Sequence, residues 1–121
     1  MTTALVIDDN RNTADALVEM LEVMGVDARP AYGSSPAMAM LKSLTPPLIL
    51  LDINMPGVDG MEILSYLKRE PRLSNSKVVV ITSDDQPETK KKALENGAKA
   101  VLLKPASILT LEPVLQKIGM I

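Results

Sequence analysis

Leu48-Ile49-Leu50-Leu51-Asp52 is four aliphatic side chains in a row, closed by a carboxylate. A run this short and this uniformly apolar reads as a strand buried on both faces, because a half-exposed strand would alternate with polar residues. Burial on both faces requires a covering layer on each side, which predicts a parallel sheet flanked by helices. The aspartate matters as much as the apolar run. In open parallel α/β sheets, ligands bind beyond the carboxyl ends of the strands.

Working outward from this stretch, four more short apolar runs occur, at Ala4–Ile7, Val26–Ala28 with its neighbours, Val78–Ile81 and Ala100–Leu103. Helical spacing fills the gaps between them. Ala14, Leu17, Val18, Leu21 and Met24 form one apolar stripe, and Gly25 supplies the stop. Ser34-Ser35-Pro36 reads as an N-cap with proline at the first helical position, ahead of Ala37, Met40, Leu41 and Leu44. Asp59-Gly60 opens a third helix carrying Ile63, Leu64 and Leu67, which must end before Pro71. Gln86-Pro87 starts a fourth and Asn96-Gly97 ends it. Pro113 is tolerable in a first turn, so the last helix is expected to be capped near Thr110 and to run to about Lys117. Strand and helix thus alternate five times. The expected architecture is α/β, a flavodoxin-like (βα)5 doubly wound sandwich with a five-stranded parallel sheet in order 2-1-3-4-5. Residues 1–121 read as one domain.

Composition removes whole classes of chemistry. The chain of 121 residues has neither cysteine nor histidine, so disulfides, thiolate or imidazole metal sites and Ser-His-Asp triads are excluded. Tyr32 and Tyr66 are its only aromatic residues, too few for a base-stacking platform. Thirteen basic against fifteen acidic residues give a net charge of −2 and no electrostatic reason to bind nucleic acid. The apolar runs are too short to span a bilayer, and Asp8 and Asp9 precede any signal-peptide hydrophobic region. A cytoplasmic protein with no membrane partner is expected.

What remains is oxygen and lysine chemistry at the strand ends. The first strand ends in Asp8-Asp9, the third in Asp52, the fourth in Thr82-Ser83 and the fifth in Lys104. Three carboxylates close together raise one another's pKa and need a neutraliser. A divalent cation and the Lys104 ammonium are the two available. An oxygen-only donor set favours Mg²⁺, which takes one or two carboxylates and keeps several waters. A carboxylate beside Mg²⁺, a lysine and a threonine hydroxyl is suited to attack phosphorus. In isolation each motif also has a plain structural use. Asp8, Asp9 and Asn10 can cap a helix, Met55-Pro56-Gly57 with Asp59-Gly60 can be a turn and a helix start, and Thr82 can be a cap. Lys90-Lys91-Lys92 reads as a solvated helix face.

Taken in order, Leu5-Val6-Ile7-Asp8-Asp9-Asn10, Leu50 through Gly60, Val79-Val80-Ile81-Thr82-Ser83 and Leu103-Lys104-Pro105 resemble the receiver domain of two-component response regulators. The resemblance covers essentially the whole chain. It implies that Asp52 accepts a phosphoryl group from the phosphohistidine of a sensor kinase or histidine phosphotransfer protein. It also implies that Asp9, Asp52 and the Asn54 backbone carbonyl hold Mg²⁺, with Asp8 acting through water. Thr82 and Lys104 would bind the phosphoryl oxygens, and the Lys104–Pro105 bond would be cis. The expected role is a switch that changes which protein it binds, rather than an enzyme. Two other readings stand beside it. One is a pseudo-receiver that binds partners without phosphorylation. The other is a Mg²⁺-dependent phosphohydrolase, which would need a second aspartate where Asn54 stands.

The chain departs from the family pattern in three ways. Val101 replaces the usual aromatic switch, Ala106 replaces a bulky apolar residue, and Lys99-Ala100 replaces the acidic pair of dimerising receivers. A monomer is therefore expected. With no aromatic at 101, the signal is expected to travel through Thr82 and the segment Ser83–Gln86.

Overall fold

The computed structural model describes residues 3–57 and 59–121. Its elements alternate β1 (Ala4–Ile7), α1 (Arg11–Val23), β2 (Ala28–Ala31), α2 (Ser34–Leu41), β3 (Leu48–Asp52), α3 (Gly60–Arg69), β4 (Lys77–Thr82), α4 (Pro87–Glu95), β5 (Ala100–Leu103) and α5 (Ile108–Lys117). All strand pairs are parallel, in the expected order β2-β1-β3-β4-β5.

The uniformly apolar strands serve two cores at once, because successive side chains leave a strand on opposite faces. Leu5, Ile7, Ile49, Leu51, Val78 and Val80 pack with Leu41 of α2, Ile63, Leu64 and Leu67 of α3 and Ala93 of α4. Their neighbours Ala4, Val6, Leu48, Leu50, Val79 and Ile81 pack with Leu17 and Leu21 of α1 and Leu111 and Leu115 of α5. One helix pair thus covers one face and three helices the other. The alternation runs on past the apolar residues. Asp52 continues the Leu48–Leu50 series toward the α1/α5 face, whereas Thr82 continues the Val78–Val80 series toward α4.

Three boundaries differ from the sequence-based expectation. The second strand, Ala28–Ala31, ends where expected but starts at Ala28 rather than Val26, because the Val26 N–H donates to the Leu21 carbonyl at 2.8 Å and closes α1. Pro30, which lacks an N–H, is tolerated in β2 because that strand is an edge. In α2 the cap is Gly33, with φ of 124°, so Pro36 is the third helical residue rather than the first. It still lies within the first turn, where no intrahelical partner is lost. Finally, α5 begins at Ile108 and is capped by Ser107 rather than near Thr110. The Ser107 and Thr110 side chains accept each other's backbone N–H at 3.3 and 3.0 Å. Pro113 then falls inside the helix. The carbonyl it cannot bond is that of Leu109, a residue 87 % exposed and open to water.

Candidate functional site

Register brings the strand-end residues together. Ile7 pairs with Leu51, so Asp8 and Asp52 leave their strands at the same level. Thr82 pairs with Leu103, which sets Lys104 one residue beyond the Thr82 level. The Lys104 N–H donates to the Thr82 carbonyl at 2.8 Å, and the Lys104–Pro105 bond is cis.

The three side chains of the charged group are held by one another and by the backbone. Lys104 Nζ lies 3.0 Å from Asp8 Oδ2 and 3.3 Å from Asp52 Oδ2. The other oxygen of each aspartate accepts a backbone N–H two residues ahead, Asn10 to Asp8 at 2.9 Å and Asn54 to Asp52 at 2.9 Å. Asp8 and Asp52 are only 1 % and 3 % exposed, while Asp9 is on the surface. One carboxylate oxygen from each of Asp8, Asp9 and Asp52 lies within 4.8 Å of the others. That is a compact, oxygen-only donor set with one exposed member, which suits a hard divalent cation reached from solvent.

Burial pushes the Asp52 carboxyl above its ordinary value and the Asp8 charge adds to this, against the opposing Asn54 N–H and Lys104 ammonium. For Lys104, burial works to lower the pKa. The Asp8 hydrogen bond and the charges of Asp52 and Asp8 outweigh it, so the ammonium is held above its ordinary value. The site keeps its positive charge while its central carboxylate is poorly solvated.

A second, neutral group adjoins it. Thr82 is completely buried, and its Oγ1 accepts from Asn54 Nδ2 at 2.7 Å and from the Asp84 N–H at 3.0 Å. The Asn54 side chain has a partner that the sequence did not suggest. Its only signal there was a polar residue two after Asp52.

The cap readings divide between the candidates. Asn10 does cap α1, accepting from the Thr13 N–H at 3.0 Å, and this leaves Asp8 and Asp9 to the site. Asp59 caps α3, accepting from the Met61 N–H at 2.9 Å. Thr82 caps no helix. Gln86 holds the N-cap position of α4, and Lys90, Lys91 and Lys92 are exposed along that helix. Gly60 does open α3, as expected, but the reason it must be glycine was not legible in the sequence. A Cβ there would stand 2.3 Å from Ile53 Cα, so only glycine lets the start of α3 close over the chain between Asp52 and Asn54. Met55-Pro56-Gly57 makes the intervening turn, with φ of 72° at Gly57.

A family model described as the response regulator receiver domain matches residues 4–116. The chain belongs to that family. Among curated relatives, this receiver is 32% identical over 108 residues to the DNA-binding dual master transcriptional regulator RpaA of Synechocystis, covering 89% of the chain and 45% of that protein. It is 30% identical over 111 residues to protein PilH of Pseudomonas aeruginosa, covering 92% of each. The chain spans about half the length of the transcriptional regulators RpaA and PhoB that it matches. Among solved structures, the signal receiver domain of a DNA-binding response regulator from Colwellia psychrerythraea superposes with a TM-score of 0.90 at 25% identity, over the whole of both chains. The chemotaxis protein CheY4 of Vibrio cholerae gives 0.87 at 25% identity, over 97% of this chain and 98% of that one. The fold is therefore that of receiver domains in two-component systems. No helix among the described residues is long and apolar enough to cross a membrane.

Proposed function

We propose that this receiver accepts a phosphoryl group on Asp52 from the phosphohistidine of a sensor kinase or histidine phosphotransfer protein, and that acceptance changes which protein it binds. The observation that carries the reading is the position of Asp52. It is a buried carboxylate at the end of the central strand, level with Asp8 and within reach of the Lys104 ammonium. An Asp52 oxygen would form the new bond to phosphorus as the P–N bond breaks, and the imidazole nitrogen would keep the electron pair.

The donor set fits Mg²⁺. Asp9, Asp52 and the Asn54 carbonyl would hold it directly and Asp8 through water. When bound it supplies positive charge to the carboxylates and the transferring oxygens. Lys104, already shared between Asp8 and Asp52, offers three N–H donors and can turn one to a phosphoryl oxygen. Thr82 can give its hydroxyl proton to another.

Such a protein is a switch and not an enzyme, and the cytoplasm is its proposed compartment. The relatives include DNA-binding regulators and a chemotaxis protein, so they leave the output open. A net charge of −2 supports a protein partner over nucleic acid, and Lys99-Ala100 supports a monomer. The test is incubation with acetyl phosphate and Mg²⁺ followed by intact mass. One phosphoryl adduct is expected on the wild type and none on Asp52→Asn. An unmodified wild type would favour phosphorylation-independent binding instead, and an adduct that persists in Asp52→Asn would move the acceptor elsewhere.

A further inference from the structure

The Thr82 hydroxyl has two lone pairs and one proton. Both lone pairs are engaged, one by the Asn54 carboxamide and one by the Asp84 N–H. The Asp84 carboxylate carries the connection further. Its Oδ1 accepts the Gln86 N–H at 2.9 Å and its Oδ2 accepts the Thr89 hydroxyl at 2.6 Å. Gln86 caps α4 and Thr89 lies in its first turn. Hydrogen bonds joined through the covalent frame of Asp84 therefore connect the side chain two residues past Asp52, by way of the buried threonine, to the start of α4.

We infer that Asn54 is a positioning residue whose carboxamide sets the resting place of the Thr82 hydroxyl and thereby ties the first turn of α4 to the site. Any shift of Oγ1 toward a group on Asp52 stretches the Asn54 and Asp84 bonds together. Asp84 then carries the disturbance to Gln86 and Thr89. This gives the Thr82 route a physical connection in a chain whose position 101 is valine, which has no hydroxyl and whose side chain is packed beside the core under α4. The holding role needs nothing bound at Asp52. Only the release by a phosphoryl group rests on the function proposed above.

A double-mutant cycle tests the holding role in the unmodified protein. Asn54→Ala, Thr82→Val and the double variant are compared by amide hydrogen exchange at Asp84, Gln86 and Lys90, with three-bond couplings reporting the Thr82 χ1 rotamer. Asn54→Ala is expected to mix the Thr82 rotamers and speed exchange at Gln86 by about two- to tenfold, the range one net hydrogen bond supports. In the Thr82→Val background the same change should add nothing. Thr82→Ser keeps the hydroxyl and should restore wild-type exchange, which separates a lost hydrogen bond from a damaged core. A single Thr82 rotamer in Asn54→Ala, or effects that add in the double variant, would overturn the assignment. Trifluoroberyllate with Mg²⁺ then tests release, with faster exchange at Asp84 and Gln86 expected in the wild type. Binding without that change would refute the release. Failure to bind would count against the phosphoacceptor reading, while the cycle alone decides the role of Asn54.

Discussion

Two groups of side chains meet where β3 and β4 end, and different forces hold them. Asp8, Asp52 and Lys104 are a charged cluster on the α1/α5 side, held by an ammonium 3.0 and 3.3 Å from two buried carboxylates. Asn54, Thr82, Asp84 and Thr89 lead toward α4 by hydrogen bonds of 2.6 to 3.0 Å, with a carboxylate only at Asp84. Buried charge is costly to rearrange, because each ion must keep its partner. A hydroxyl with neutral donors exchanges partners at small net cost. The first group is suited to bind and accept charge in a fixed geometry. The second is suited to move when that charge changes.

The substitution with the largest expected effect strikes the junction of the two groups. Gly60→Ala drives a Cβ against the Ile53 backbone, between Asp52 and Asn54. We expect a loss of about 3 kcal/mol in urea unfolding, the upper range for forced overpacking. A loss below about 1 kcal/mol, the lower end of that range, would show that α3 can lift without cost.

Lys104→Met breaks the charged group alone. It leaves Asp8 and Asp52 facing each other, and a loss of about 2 kcal/mol is expected, discounted because the lysine side chain is 24% exposed. The raised pKa of Lys104 sets the pH dependence. Its contribution is complete below the unfolded value of 10.5 and disappears as pH rises through the higher folded value. Wild type and variant should therefore converge at strongly alkaline pH.

Asp52→Asn acts in the opposite direction and less strongly. A carboxyl whose folded pKa is raised by burial opposes folding at neutral pH, because it binds its proton more tightly in the folded state than in the unfolded one. The metal-free variant should melt above the wild type at pH 7. The gap should shrink as pH falls through the raised folded value and close below the ordinary value of 3.8, where the carboxyl is protonated in both states. A variant less stable than wild type at pH 7 would mean that the Lys104 ion pair outweighs desolvation.

Thr89→Val touches only the α4 end of the hydrogen-bond path and should have the smallest effect. The Thr89 hydroxyl and the Gln86 N–H hold the Asp84 carboxyl below its ordinary value. Its titration, followed by NMR, should move up toward 3.8 in the variant, while the titration of Asp52 stays in place. Movement of both would join the two groups into one.

The way these contacts arise explains how much could be read beforehand. The Leu48–Asp52 run, the apolar stripe of α1 and the Gln86-Pro87 and Asn96-Gly97 signals each report the burial or backbone preference of a few adjacent residues, and the structure keeps them all. The residues at the strand ends were legible for the same reason, since a parallel strand order brings its carboxyl ends together whatever the details. Val26 was misread because an apolar residue can end a helix as well as begin a strand, and the choice depended on whether its N–H found the Leu21 carbonyl. Pro113 was misread because whether a helix can accommodate proline depends on which turn faces water.

By itself, then, the sequence determined the five strand–helix units and the acidic, lysine and hydroxyl groups that the sheet delivers to one edge, because those follow from local hydrophobic pattern and from parallel order. Only the tertiary structure decided which side chains touch. Lys104 reaches Asp8 across 96 positions and Asn54 reaches Thr82 across 28, through strand register and the alternation of side chains to either face of the sheet. The seat of Gly60 on Ile53 and the raised pKa of Asp52 likewise come from packing, since close approach and desolvation arise only when distant segments exclude water together.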